Sequence, residues 1–125
     1  NWLADERLKK LVTRDYASAK ECEDRDLIKP AVLLYSGVIE ALLRMVLQKD
    51  TKTTFEQLIN NAFSKNLIKK HHRDKLNVVR DYRNYVHIHK ELENRFELTE
   101  GLAQLSRETC DSIIEELSGS INKKA

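Results

Sequence analysis

The segment VRDYRNYVHIHKE, which spans residues 79–91, gathers the side chains of this sequence that are best suited to chemistry. Its candidate residues are Arg80, Arg83, Asn84, His87 and His89. Arginine offers phosphate a planar fork of donors, and histidine changes its charge near neutral pH. A cation that holds phosphate, an amide that orients it and an imidazole that moves a proton together form a set suited to phosphodiester chemistry.

On a helix with about 100° per residue, Arg83, Asn84 and His87 lie within roughly 60° of Arg80. The apolar residues lie on the other side and are expected to face a core: Val78, Val79, Tyr82, Tyr85 and Val86. His89 projects nearer to the apolar side, at the expected end of the helix. The alternative interpretation is the solvated face of an amphipathic helix, although Lys and Glu are the residues that usually fill such a face.

A second pair of charged residues lies in the apolar stretch AVLLYSGVIEALLRMVL, residues 31–47. Glu40 and Arg44 are four residues apart, so they share one face of a helix. A buried charge needs a partner, and an ion pair between these two residues is therefore expected on energetic grounds alone. In the alternative, functional interpretation, Glu40 reaches across to orient Arg83, Arg80 or His87 on a later helix.

Three glycines and one proline in 125 residues indicate long helices with few connections. Apolar periodicity predicts helices over the following ranges: Trp2 to about Arg25, Asp26 to Leu47, Phe55 to Ser64, about His72 to about His89, and about Gly101 to Leu117. Thr53 or Thr54 is the expected N-cap of the third helix. The second helix is apolar nearly all round and is expected to be central. We therefore predict an all-α, antiparallel up-and-down bundle of four to five helices that forms one domain over residues 1–125.

Four segments resemble helices of the HEPN superfamily (higher eukaryotes and prokaryotes nucleotide-binding domains). AVLLYSGVIEALLR is similar to its early buried helix, which carries a Glu and a basic residue four positions later. FEQLINNAFSKNLI resembles its middle helix, VVRDYRNYVHIHKEL its signature helix, and LTEGLAQLSRETCDSIIEEL its closing helix. The similarity extends to bacterial members of unknown function.

The family motif is an Arg, usually followed by a polar residue, with four to six residues before a His. Arg80 to His87 leaves six intervening residues, and Arg83 to His89 leaves five with Asn84 as the better polar follower. Arg83 to His87 leaves only three. The shared face favours His87, with His89 as the second candidate.

The resemblance implies a metal-independent endoribonuclease of toxin–antitoxin, phage-defence or RNA-processing systems. In such enzymes the RNA 2′-hydroxyl attacks the adjacent phosphate, and the site is usually shared across a homodimer. Arg80, Arg83, Asn84 and His87 are then the catalytic candidates. Glu40, Arg44 and His89 are the supporting residues, and no metal or cofactor is expected. An antitoxin or a fused domain is a further expected partner.

Two other functions remain open from the sequence. Many relatives lack activity and act as RNA- or nucleotide-binding or dimerisation modules, and a domain excised from a longer protein fits a chain that begins without Met. The other alternative is a structural helical adaptor with Trp2, Leu8 and Tyr16 as exposed partner contacts.

Composition limits the remaining classes of function. The net charge is only +2, so any nucleic-acid contact must come from local clustering, of which residues 69–75 (KKHHRDK) are the densest example and a solvated helix start the simpler interpretation. Cys22 and Cys110 follow no metal-binding spacing, which favours two free thiols in a reducing compartment such as the cytoplasm. No uninterrupted apolar run reaches the ~18 residues of a membrane span, so no membrane contact is expected.

Overall fold

The structure is a computed structural model that describes residues 6–84 and 100–124, with side chains for residues 6–84 and 101–118. Within these ranges the chain forms five helices and no strand. They are α1 (Glu6–Asp24), α2 (Ile28–Leu47), α3 (Phe55–Ser64), α4 (Lys70–Asn84) and α5 (Glu100–Lys124). The prediction of an all-α helical bundle is confirmed.

Helix α2 is the centre of the bundle and packs against α1, α3, α4 and α5. Its buried residues recur on nearly every side, as the apolar composition predicts: Ala31, Val32, Tyr35, Ser36, Val38, Ile39, Leu42, Leu43 and Leu47. By length and composition this helix also passes the test for a membrane span, as core helices of soluble proteins do. Half of this apolar stretch is buried inside the bundle, as expected for a core helix.

A tight turn joins α1 to α2, and it corrects the predicted start of the second helix. Asp26 has a φ of 58°, and the Leu27 N–H donates to the carbonyl of Cys22 at 2.8 Å. This left-handed residue ends the first helix, so α2 begins at Ile28 rather than at Asp26. Pro30 lies in the first turn of α2, where its missing N–H costs no helical hydrogen bond.

Thr54 caps α3, which has the predicted bounds. Its hydroxyl accepts from the Gln57 N–H at 3.1 Å, and the Gln57 side chain accepts from the Thr54 N–H at 2.9 Å. This reciprocal capping box fixes where the helix begins and makes Thr54, rather than Thr53, the cap.

The bounds of α4 and α5 differ from the predicted ones. Helix α4 begins at Lys70 rather than His72, because Glu116 of α5 accepts from the Lys69 N–H at 2.9 Å and also bonds His72 Nδ1. A carboxylate at this position satisfies a free N–H and suits the helix dipole. Helix α5 continues past Leu117 to Lys124. Serine and glycine reduce helix propensity, but they do not stop an established helix as proline does. The predicted extension of α4 from Tyr85 to His89 lies outside the described residues.

Candidate functional site

The expected pair within α2 forms. Arg44 Nη2 lies 3.2 Å from Glu40 Oε1, and each side chain is only 19% exposed. The same guanidinium donates from Nε to the carbonyl of Asp50 at 2.9 Å and from Nη2 to that of Thr53 at 2.7 Å. Arg44 therefore joins the α2–α3 connection to Glu40, and its several donors are used within the fold.

Glu40 also makes the contact across helices that the alternative interpretation anticipated. Its second oxygen, Oε2, lies 2.8 Å from Nη1 of Arg83 on α4. One carboxylate thus binds two arginines from two helices, with one oxygen for each. A charged, short contact of this kind fixes the position of the Arg83 guanidinium more firmly than an exposed pair does.

A ring from α3 further restrains Arg83. The centroid of Phe55 lies 5.3 Å from its guanidinium carbon, within the range of a cation–π contact. The Arg83 side chain nevertheless stays 35% exposed, so part of its charge faces solvent. A carboxylate and an aromatic ring therefore position Arg83. The exposed part of its side chain can still contact a ligand.

Arg80 has weaker partners. Its Nη1 lies 3.5 Å from Glu56 Oε2 and its Nη2 lies 3.3 Å from Asp81 Oδ1, and both of these carboxylates are more than half exposed. Its Nε is buried, without a hydrogen-bond partner among the described residues. A buried donor without an acceptor is energetically costly, but this atom has no accessible surface, so a ligand would contact the exposed part of the Arg80 guanidinium instead.

These residues line one groove of about 740 Å³. Its lining comprises Leu33, Glu40, Arg44, Thr51, Lys52, Thr53, Thr54, Phe55, Glu56, Arg80, Arg83 and Asn84. Four of these residues are cationic and two are acidic, so the groove has a surplus of positive charge. Asn84, the last described residue of α4, places its amide at the same groove.

The predicted site is therefore assembled in part. Glu40, Arg44, Arg80, Arg83 and Asn84 come together, whereas His87 and His89 lie outside the described residues. Within the described ranges, no group of three or more His, Cys, Asp or Glu side chains is placed to hold a metal ion.

One apolar residue of α4 does not face the core as the helical wheel predicted. Val78 is 40% exposed, while Val79 and Leu76 are fully buried. The core-facing side of α4 is centred on Leu76 and Val79. Around the helix axis, Val78 lies about 100° away from Val79. Arg80 and Arg83 consequently lie at the edge of the packed side rather than opposite to it, which is why they contact α3 and α2.

Sequence reasoning missed the far wall of the groove. Thr51 and Lys52 lie in the segment DTKTT, for which only a capping role was considered. The Lys52 N–H donates to Asp50 Oδ1 at 2.9 Å, a local turn that a sequence of Asp, Thr and Lys permits. The sequence around Lys52 does not predict this place, because only the fold brings the residue to the same groove as the arginines.

A second polar cluster, also unpredicted, joins α1, α2 and α5. Glu23 accepts from the Tyr35 hydroxyl at 2.8 Å and pairs with Arg107 Nη1 at 2.7 Å. Tyr16 donates to Asp111 Oδ1 at 2.5 Å, and its ring packs edge-on against Tyr35. Tyr16 is thus partly buried and bound to α2 and α5, so it is not the exposed partner contact that the adaptor alternative expected.

Burial raises the pKa of three ionisable groups in or beside this second cluster. Burial, and then a hydrogen bond to a carboxylate, raises the pKa of Tyr35 and of Tyr16 well above the ordinary value. Burial raises the pKa of the Cys110 thiol to about 12, with a smaller contribution from Asp111. Cys22 and Cys110 are both free thiols, as predicted.

Comparison of this chain with family models, with curated proteins and with solved structures gives no match. The resemblance to the HEPN superfamily therefore rests on the sequence segments alone and stays a prediction. The geometry of the groove stands independently of it.

Proposed function

We propose that the groove between α2, α3 and α4 binds an RNA phosphodiester, and that the chain is a HEPN-like, metal-independent endoribonuclease. The observation that carries the proposal is the two-arginine contact of Glu40, which fixes Arg83 beside the partly exposed Arg80 in a positively charged groove. A fixed cation at the site where negative charge develops is what stabilises a phosphoryl transition state.

Each residue has a role that follows from its chemistry. The RNA 2′-hydroxyl attacks the adjacent phosphorus and loses its proton to a general base, while the departing 5′-oxygen takes a proton from a general acid. The products are a 2′,3′-cyclic phosphate and a 5′-hydroxyl. Arg80 and Arg83 stabilise the pentavalent phosphorane, Asn84 orients the phosphate, and His87 moves a proton, with His89 as the second candidate.

A homodimer completes this chemistry. One histidine cannot be base and acid at the same instant, and a two-fold axis supplies a second copy. We place the reaction in the cytoplasm, in a toxin, phage-defence or RNA-processing context in which an antitoxin or fused domain restrains it.

Arg44 and Glu40 act as positioning residues. Arg44 binds two carbonyls of the α2–α3 connection, the segment that forms the far wall of the groove. Glu40 transmits this restraint to Arg83 through its second oxygen. The α2–α3 connection and Arg83 are thereby restrained by one continuous set of contacts.

The test is cleavage of a labelled RNA with and without EDTA. We expect equal cleavage in both, cyclic-phosphate ends on the products, and loss of activity in His87→Ala. His71→Ala is the matched control, because His71 is an exposed histidine in the first turn of α4 and does not line the groove. Loss of cleavage in EDTA, or full activity in both His87→Ala and His89→Ala, would overturn the ribonuclease proposal.

The second candidate function is RNA or nucleotide binding without turnover, in a dimerisation or sensor module. It is favoured by the composition of the groove, whose cations and amide suffice to bind a phosphate without cleaving it. Tight binding of RNA with no cleavage in any variant would select this function.

A further inference from the structure

The seam between α3 and α4 carries a row of arginines that continues beyond the groove. The two helices run antiparallel, so the start of α3 meets the end of α4. Arg83 lies over Phe55, and Arg80 faces Glu56. At the other end of the seam Arg73 lies over Phe63, with its guanidinium carbon 4.1 Å from the ring centroid.

Arg73 and Arg80 lie on the same flank of α4. They are seven residues apart, which is two turns and roughly 10 Å along the helix axis. Asn77 and Asn84 lie in phase with them, so an amide follows each arginine four residues later. The flank therefore alternates a guanidinium and an amide along its length, and both groups can donate to phosphate.

Arg73 is preorganised but still accessible. Stacking on Phe63 restrains its guanidinium, and its side chain is 26% exposed. Its acidic partner is the adjacent Asp74, at 3.1 Å and 58% exposed. An exposed pair between sequence neighbours is weak, so a polyanion displaces Asp74 at little cost.

We propose that Arg73 is a second phosphate-binding residue, and that a single RNA strand runs along the α3–α4 seam from the groove to Arg73. This inference rests on the proposed function and adds the path and length of the bound strand. Phosphates of a stacked strand follow one another about every 3.4 Å of axis, so roughly 10 Å corresponds to about three nucleotides.

The charged groups around the seam set the ends of this path. Glu56 is the carboxylate that α3 presents to Arg80, and it is 65% exposed. Beyond Arg73, the surface around the start of α4 includes Glu115 and Glu116, and Glu116 already binds His72 and the Lys69 N–H. Lys69 and Lys70 line the same surface, so positive and negative charges are mixed there, the surplus of positive charge is not continued, and the path ends at Arg73.

The experiment measures binding of a fluorescent 2′-O-methyl oligouridylate, which lacks the attacking hydroxyl, to the full chain over a series of salt concentrations. For an octanucleotide, Arg73→Gln is expected to reduce the slope of log Kd against log salt by about 0.7, the value for one single-strand phosphate contact. For a dinucleotide bound in the groove, the same substitution is expected to change nothing.

Lys75→Gln is the matched control. It removes the same charge from the same helix, but Lys75 is exposed and projects about 200° away from Arg73. Equal effects of the two substitutions on the octanucleotide would overturn the inference and leave the groove proposal standing. A wild-type chain that binds neither oligonucleotide would overturn the proposed function itself.

A second variant guards against loss of folding in Arg73→Gln. Asp74→Asn removes the exposed competitor of Arg73, and we expect it to tighten binding of the octanucleotide but not of the dinucleotide. Asp15→Asn is its control, because Asp15 pairs with the adjacent Arg14 on α1 at 2.9 Å in the same way. Equal octanucleotide affinity in the two Asp→Asn variants and the wild type would contradict a role for Arg73.

Discussion

Two carboxylates in this bundle, Glu23 and Glu40, each bind two partners from other turns or helices, yet their surroundings differ. Glu23 binds one arginine, Arg107, and the hydroxyl of the fully buried Tyr35. Glu40 binds two arginines and lines a groove of about 740 Å³ that also holds Arg80. At Glu23 one negative charge balances one positive charge, whereas at Glu40 positive charge is in surplus. A Glu–Arg contact between helices therefore stabilises the packing at Glu23, whereas at Glu40 it positions residues of the candidate site.

The largest effect on stability is expected at Glu23. Glu23→Ala removes the acceptor of Arg107 and Tyr35, and we expect the free energy of unfolding to fall by about 3 kcal/mol. Denaturant unfolding measures this, with Glu21→Ala as the control because Glu21 forms an exposed pair with Arg25. RNA cleavage per folded molecule should not change. A loss below about 1 kcal/mol would mean that the Glu23 cluster contributes little to packing.

The substitution Glu40→Gln is expected to act on activity instead. A neutral amide keeps the shape but holds Arg83 less firmly, so we expect RNA turnover to fall about 10- to 100-fold, as when an outer residue that orients a functional group is lost. The free energy of unfolding should change by about 1 kcal/mol or less. Glu23→Gln is the matched control, and a similar loss of turnover in both variants would remove the distinction between the two clusters.

The Glu23 cluster also predicts an alkaline loss of stability. The pKa values of Tyr16, Tyr35 and Cys110 are raised in the fold, with Cys110 at about 12. The unfolded chain therefore releases these protons at lower pH than the folded chain does. The stabilisation is complete below the unfolded pKa values, near 8.5 for the thiol and 10 for the phenols, and is lost as the pH rises from there through the folded values.

Denaturant unfolding at pH 8, 9, 10 and 11 measures this loss, at up to about 1.4 kcal/mol per pH unit for each proton. Tyr35→Phe should flatten the decline between pH 10 and 11, and a decline as steep as that of the wild type would contradict the assignment. At pH 8 a thiol reagent should label the half-buried Cys22 before the fully buried Cys110.

The smallest expected effect lies on the outer face of α2. Apart from its chain neighbours and the backbone of its own helix, no heavy atom of the described residues lies within 4 Å of the position a Cβ would take at Gly37, and its φ is not positive. Gly37→Ala should therefore raise the free energy of unfolding by about 0.5–1 kcal/mol, because alanine loses less backbone entropy in a helix. A destabilised variant would indicate that another molecule packs closely on this face.

The sequence predicted well what depends on local periodicity and capping. The central place of α2, the bounds of α3 and a cap at Thr53 or Thr54 all follow from patterns within a few residues, whereas the reciprocal contact of Gln57 was not predicted. It predicted poorly what depends on distant partners. Glu116 lies more than forty residues after Lys69 in the chain, so no local pattern revealed that it would extend the start of α4.

The contacts of the candidate site, too, were predictable only in part. The pair within α2 was predictable from a spacing of four residues, and the contact of Glu40 with Arg83 of α4 was one of the alternatives that the sequence left open. The place of Lys52 in the groove was not predicted, because the α2–α3 connection has no periodicity that indicates which way it folds. The contacts of Glu23 with Tyr35 and Arg107 were not predicted either, because the three residues come from three separate helices.

The most direct test of the central claim compares Arg83→Gln with Arg107→Gln in RNA cleavage with EDTA present. Both substitutions remove one guanidinium that pairs with an interhelical glutamate. Folding of each variant is checked by denaturant unfolding, so that cleavage is expressed per folded molecule. The account predicts a loss of at least about 100-fold for Arg83→Gln, the effect of removing one transition-state donor, and full activity per folded molecule for Arg107→Gln. Equal activity of the two variants would contradict the claim that the groove at Glu40, and not the arginine–glutamate contact as such, is the functional site.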